Sequence, residues 1–391
     1  MLPEVLNQPP WNPRLVIVIL ALSLLLMPAC KRSTSDQEQL AQPPVFQPQG
    51  HGTVEVKIEN PDSLAISLFQ IQGNQSHWVE DLNQTELTKQ TIELDSGLFV
   101  IRSKISEKSE RLEIAIPVPA LALDSSSKIS IQVQHPPEPV DGWCWIPPGP
   151  AIVGDTLGVG REDERPARIV EVNGFWMAEK EVTNLQYAEF LSQQKEIPAG
   201  WIDLESRKCL IKLDANSKKY SVVDSVESAD EMPVVMVSLQ GALAYCKWLS
   251  KKLGHQVRLP SESEWEKAAR GPESFVYSYG NIYKQSLANQ ESGKLKPVGS
   301  YKPNSFGLYD MTGNAFEWMS DRADPTKSET TLNHSLRGGS FVLDGMYLRN
   351  SFRMKQSPTV MTDDIGFRVV SPALHKDTDQ SYPEVIERLQ R

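Results

Sequence analysis

Any thiol chemistry in this chain must come from Cys30, Cys144, Cys209 or Cys246, because its 391 residues contain no other cysteine. Four thiols are too few for a disulfide scaffold. Imidazole chemistry is bounded just as tightly. In the C-terminal region, about 143–371, only His255 and His334 occur, far apart and in no ligand spacing. An iron site of two His and a carboxylate, or of three His, is therefore not expected. No Gly-x-Ser-x-Gly elbow, phosphate loop or zinc motif is present, and Gly158-Val159-Gly160 reads as a plain loop. Fifty acidic residues against 40 basic ones give a net charge of −10. That balance argues against a nucleic-acid partner, since phosphate contacts need a clustered basic surface.

Cys30 stands apart from the other three. Leu15 to Met27 reads LVIVILALSLLLM, shorter than the ~20 apolar residues that cross a bilayer but the right length for an export signal. It runs into Met27-Pro28-Ala29-Cys30, which resembles a bacterial lipobox, so Cys30 is the expected lipidation site. The motif departs from the usual one at Met27 and Pro28, and Lys31 and Arg32 follow the apolar run. An uncleaved signal anchor and an ordinary cleaved signal are the alternatives. All three place the rest of the chain outside the cytoplasm. We expect a signal peptide over 1–29 and a Gln-, Ser- and Pro-rich tether over 30–50.

The elements behind these residues change character twice. Thr53-Val54-Glu55-Val56-Lys57-Ile58, Leu112 to Ile116 and Ile129 to Val133 alternate polar and apolar residues, as half-buried strands do. Glu93 to Ile101 reads as a turn feeding a strand. These runs predict a small all-β sandwich module over 51–136, similar in style to the PEGA-like modules of bacterial envelope proteins. A spacer role is the expectation there, with carbohydrate binding as the alternative. Beyond Pro136-Pro137-Glu138-Pro139 the chain is loop-rich, with three predicted helices. One follows Thr183 with Gln186 as its capping partner, one runs from Ser238 to a stop at Gly254, and one follows Ser261 with Glu264. The last residues, 372–391, read as a tail.

An ordered series of blocks runs through 143–371. It includes Trp145-Ile146-Pro147-Pro148-Gly149, Glu181-Val182-Thr183-Asn184, Arg258-Leu259-Pro260-Ser261-Glu262-Ser263-Glu264-Trp265-Glu266 and Asn304-Ser305-Phe306-Gly307-Leu308-Tyr309-Asp310-Met311. It closes with Gly313-Asn314-Ala315-Phe316-Glu317-Trp318, Arg337-Gly338-Gly339-Ser340-Phe341 and Gly366-Phe367-Arg368-Val369. In this order and spacing the blocks resemble the sulfatase-modifying-factor family, whose founding member is the formylglycine-generating enzyme. The resemblance implies an irregular, loop-rich α+β fold related to C-type lectins. It also implies structural calcium at Asp310, Gly313, Ala315 and Glu317, an oxygen-donor set that suits this cation. A competing reading has Asp310 capping a turn and Glu317 paired with an arginine. A second calcium site would begin at Asn289 and Gln290, but its remaining segment is shortened here to Glu291–Lys296.

The departure from the family lies at copper. Its enzymes oxidise a substrate cysteine using copper(I) held by two thiolates, which this softest of sites requires. The matching positions here are Leu343 and Leu348. Copper, iron and formylglycine generation are therefore not expected, and no catalytic residue is assigned. Phe316, Ser340, Phe341, Asp344, Tyr347, Arg349, Asn350 and Arg353 are expected to line the groove that remains. That groove would take a peptide, a glycan or another envelope protein, with Arg and Tyr as anchors. The leading expectation is thus a lipid-anchored envelope protein used for binding or assembly. A diverged oxidoreductase or protein-modifying enzyme, and a structural part of an envelope machine, are the alternatives.

Overall fold

A computed structural model describes most of 53–133, then 136–323 and 333–372. The signal segment, Cys30, the tether and the tail from 373 onward lie outside the described residues. Among the described residues no helix is long and apolar enough to cross a membrane.

The described residues of the N-terminal part form strands. β1 (Thr53–Glu59), β6 (Arg111–Val118) and β7 (Lys128–Gln132) coincide with the alternating runs. β2 (Ile66–Gln72), β3 (Gln75–Asp81), β4 (Lys89–Asp95) and β5 (Gly97–Lys104) complete the set. Glu93 to Asp95, read from sequence as part of a turn, ends strand β4 instead. The strands form two sheets, ordered β4-β1-β7 and β3-β2-β5-β6. Ile58, Leu94 and Ile131 of the first join Ile66, Leu68, Phe99 and Ile101 of the second in one apolar cluster. Because side chains alternate along a strand, Ser67 and Phe69 point away from that cluster.

The larger part, from Trp143, mixes many short strands with few helices. β8 (Trp143–Ile146), β9 (Gly149–Val153), β10 (Arg168–Val172) and β11 (Phe175–Ala178) open it. Helix α1 (Asn184–Ser192) begins at the capping box of Thr183 with Gln186, as expected. After the hairpin of β12 (Ile211–Leu213) and β13 (Tyr220–Val222), α2 (Leu239–Leu253) starts at Ser238 and stops at Gly254, whose φ is +73°. It buries Leu239, Ala242, Tyr245, Cys246, Leu249 and Leu253, one stripe at helical spacing. α3 (Glu262–Arg270) starts at the Ser261–Glu264 box and ends before Gly271.

β14 (Phe316–Arg322), β15 (His334–Arg337), β16 (Met354–Gln356) and β17 (Ile365–Gly366) then form a four-stranded sheet, ordered β16-β15-β14-β17. The closing strand β18 (Val370–Ser371) pairs with β11, so the domain's end returns to its beginning. Aromatic rings fill the main core, where Tyr187 stacks on Tyr245 with centroids 5.8 Å apart and Phe367 meets Tyr245 edge-on. The cysteines of this part, Cys144, Cys209 and Cys246, are free and buried. Burial pushes each thiol's pKa up, that of Cys144 to about 12, so none is a poised thiolate.

Candidate functional site

Strand β15 delivers Arg337 into the core and is followed by Gly338 and Gly339, both at positive φ. A side chain on Gly339 would meet Leu348 Cδ2 at 2.2 Å, so the loop closes only because this position is glycine. Leu348 is fully buried and clusters with Val276 and Tyr277, and Leu343 packs against the same cluster. Tyr277 stacks on Tyr279 at 5.5 Å, with Tyr283 6.0 Å from Tyr277. Burial raises the Tyr277 pKa to about 12, so its hydroxyl stays protonated. Leu343 and Leu348, the positions that the family resemblance assigns to copper ligands, therefore sit in an apolar and aromatic plug. Among the described residues no group of three or more His, Cys, Asp or Glu is arranged as a metal cage.

The expected groove residues separate into two sets. Phe316, Ser340 and Phe341 are buried. Ser340 Oγ donates to Asp364 Oδ2 at 3.1 Å, and burial raises the Asp364 pKa. Arg349 is also buried, its guanidinium donating to both oxygens of Glu164 at 3.0 Å. Asn350 Nδ2 donates to the Phe275 carbonyl, and Arg353 reaches Glu262 and the Ala323 carbonyl. These three polar side chains tie loops together inside the domain, and each keeps one buried polar atom without a hydrogen-bond partner: Arg349 Nε, Asn350 Oδ1 and Arg353 Nε. Of the expected set, Asp344 is exposed and Tyr347 half-buried, with Asp344 capping the short turn Gly345–Leu348. What the surface shows beside them is apolar: Val342 and Met346 are exposed, and the Tyr283 ring lies against Gly345. Sequence reading missed Val342, Met346 and Tyr283, because isolated apolar residues in loops carry no periodic signal.

The second constellation is acidic. The Glu317 carboxylate is fully buried, takes a bidentate pair from Arg368 at 2.8–2.9 Å, and accepts from Trp265 Nε1 at 2.8 Å. Asp310, at φ +55°, accepts the Gly299 amide. Glu181, not singled out from sequence as a site residue, is buried beside them. Its Oε1 accepts from Asn314 Nδ2; no fixed donor reaches its Oε2, and a hydrogen bond to the neighbouring Asp310 carboxyl forms only when one of the two acids is protonated. Burial, then the neighbouring Asp310, pushes the Glu181 carboxyl well above the usual range, and burial raises Asp310 too. Three carboxylates thus share one guanidinium, an excess of two negative charges if all are ionised. Buried carboxylates resolve such an excess by taking up protons or a cation. Hard oxygen donors are the type that calcium or magnesium takes, although these three carboxylates are not arranged as a ready cage. A cleft lined by Lys180, Glu181, Thr183, Gln186 and Tyr245 adjoins this cluster.

Asn289 and Gln290 are also buried, but their oxygens are engaged. Asn289 Oδ1 accepts from Ser292 Oγ, and Gln290 Oε1 accepts from Tyr283 Oη. Gly313 is pressed against Asn289, where a Cβ would lie 2.3 Å from its carbonyl oxygen. The shortened segment after Gln290 thus closes on itself by hydrogen bonds.

Comparison with known proteins places this geometry. The family model described as "Sulfatase-modifying factor enzyme 1-like domain" matches residues 130–373. The inactive C-alpha-formylglycine-generating enzyme 2 of Mus musculus is 31% identical over 297 residues, covering 65% of this chain and 93% of that protein. The formylglycine-generating enzyme of Streptomyces coelicolor is 28% identical, covering 67% and 97%. The solved structure of PvdO from Pseudomonas aeruginosa is 24% identical, with a TM-score of 0.48 over 59% of this chain and 93% of that one.

Proposed function

The chain belongs to the sulfatase-modifying factor enzyme 1-like family, and from that premise we propose that its family domain binds a ligand and does not generate formylglycine. The observation that carries this reading is Leu348, sealed against Gly339 where a copper thiolate would have to stand. Replacing both soft donors with aliphatic side chains removes the affinity for copper(I) and leaves no nearby thiol to substitute. The inactive relative named above, similar over nearly its whole length, supports the same reading. The ligand, a peptide, glycan or envelope protein, would meet the surface around Asp344 and Tyr347, extended by Val342, Met346 and Tyr283.

The domain would also hold a structural calcium ion. Asp310, Glu317 and the carbonyls of Gly313 and Ala315 are the expected donors, Glu317 only by exchanging part of its Arg368 pair for the cation, and Glu181 Oε2 would add a further oxygen. The cation would neutralise the carboxylate excess and brace loops that no sheet supports. The N-terminal strands would form a β-sandwich spacer over 51–136. Cys30 would carry a lipid that holds the protein to an envelope membrane.

Metal analysis of the purified chain tests the reading. Calcium near one per chain, without copper or iron, is the expected result; stoichiometric copper or iron overturns it.

A further inference from the structure

The sheet β3-β2-β5-β6 lies wholly before the family match, and one feature of it is unaccounted for by a spacer. Its edge strand β3 is exposed along its whole length, and Trp78 is 61% exposed there. A tryptophan left in water forfeits the burial that usually justifies so large an apolar ring. This one is nevertheless fixed. Its Nε1 donates to Asp81 Oδ1 at 3.3 Å, and Ser67 Oγ donates to the same oxygen. Those two bonds hold the Asp81 carboxyl below its ordinary pKa, so it is ionised at neutral pH.

Strand register pairs Trp78 with Phe69, and Arg102 lies over the Phe69 ring at 4.6 Å. The guanidinium is tied down again by Ser76 Oγ at 2.6 Å. Alternation puts Ser67, Phe69, Ser76 and Trp78 on one face, turned from the shared core cluster. Val100, paired with Phe69, is fully covered. The face therefore combines a buried Val100, a half-buried Phe69, one exposed indole, and a cation and an anion each held by hydrogen bonds.

We infer that this face of β2, β3 and β5 is a glycan-binding platform that takes an extended β-1,4-linked hexopyranose chain. A sugar ring offers an apolar C–H face to stack on the indole. Its hydroxyls donate to a carboxylate and accept from a guanidinium, so one fixed group of each kind suits it. Protein partners are the poorer match, because the centre of a protein interface, where such an anchor sits, is depleted of charged residues. Here the residues along β3 around Trp78, apart from Val79, are polar or charged. The site lies on strands separate from the Leu343–Leu348 plug, so it is independent of the function proposed above.

Titration calorimetry of the purified full-length chain with chitohexaose and with cellohexaose tests this. Saturable binding of either sugar near one per chain is expected. Trp78→Ala should lower that affinity at least tenfold, and Trp78→Phe should retain part of it. The exposed indole supports little of the fold, so both variants should keep the wild-type melting temperature and circular dichroism. Three results would overturn the inference: no binding of either sugar at millimolar concentration, binding unchanged in Trp78→Ala, or a change of oligomeric state in that variant, which would mark a contact between copies.

Discussion

Glu181 shows how one atom without a fixed donor can define a site. Its Oε2 is buried next to Asp310 and to a Glu317 already satisfied by Arg368 and Trp265. Glu181→Gln removes one excess charge, so in chelator the variant should be more stable than wild type by ~1–3 kcal/mol, the usual scale of a badly accommodated buried polar group. Calcium should raise the wild-type melting temperature and shift the variant much less; equal shifts would remove Glu181 from the site. Lys267 offers a second residue-scale test. Its Nζ donates to the Gly149 carbonyl, and burial pulls its pKa down to about 7, opposed by Glu171. Unfolded lysine titrates near 10.4, so between about pH 7 and 10 the unfolded chain holds the extra proton and stability rises with pH. Lys267→Met should therefore stabilise most at or below pH 7, with the gain shrinking towards pH 10. Urea denaturation at several pH values reads this directly, and parallel curves for the two proteins would contradict it.

At the scale of elements, local chemistry and long-range pairing part company. Thr183, Ser238 and Ser261 announce their helices because a cap lies within three residues of the amides it serves, a spacing visible in the chain. Thr183→Ala and Ser261→Ala should each cost ~1 kcal/mol in chemical denaturation. β1, β6 and β7 were legible for a similar reason, since period two is a local pattern. β3 was not, because it is exposed on both faces and has no alternation to read. The fate of Arg349 was illegible in a different way. Its partner Glu164 is 185 positions away, and nothing near either residue signals the pairing. Breaking that buried pair leaves a carboxylate stranded, so Arg349→Met should destabilise by ~3–5 kcal/mol. Adding Glu164→Gln should recover part of the loss; an unchanged or cumulative loss would argue against a mutually compensated pair.

Across the whole molecule, the ordered blocks in 143–371 were enough to foresee the family, because their residue types stand in a fixed order and spacing along the chain. They also carried the expectation at copper, since leucines at the two positions the resemblance assigns to thiolates can be read without coordinates. The packing of those leucines could not be read: Leu348 is pressed onto Gly339 and Leu343 packs against the aromatic cluster of Tyr277, so both belong to a filled core. The central claim is that this filled core has given up oxidative chemistry. The most direct test incubates the purified chain with copper(I), oxygen, a thiol reductant and a cysteine-containing sulfatase peptide, then weighs the peptide by mass spectrometry. The peptide should keep its cysteine throughout. Formylglycine formed over several turnovers would contradict the account.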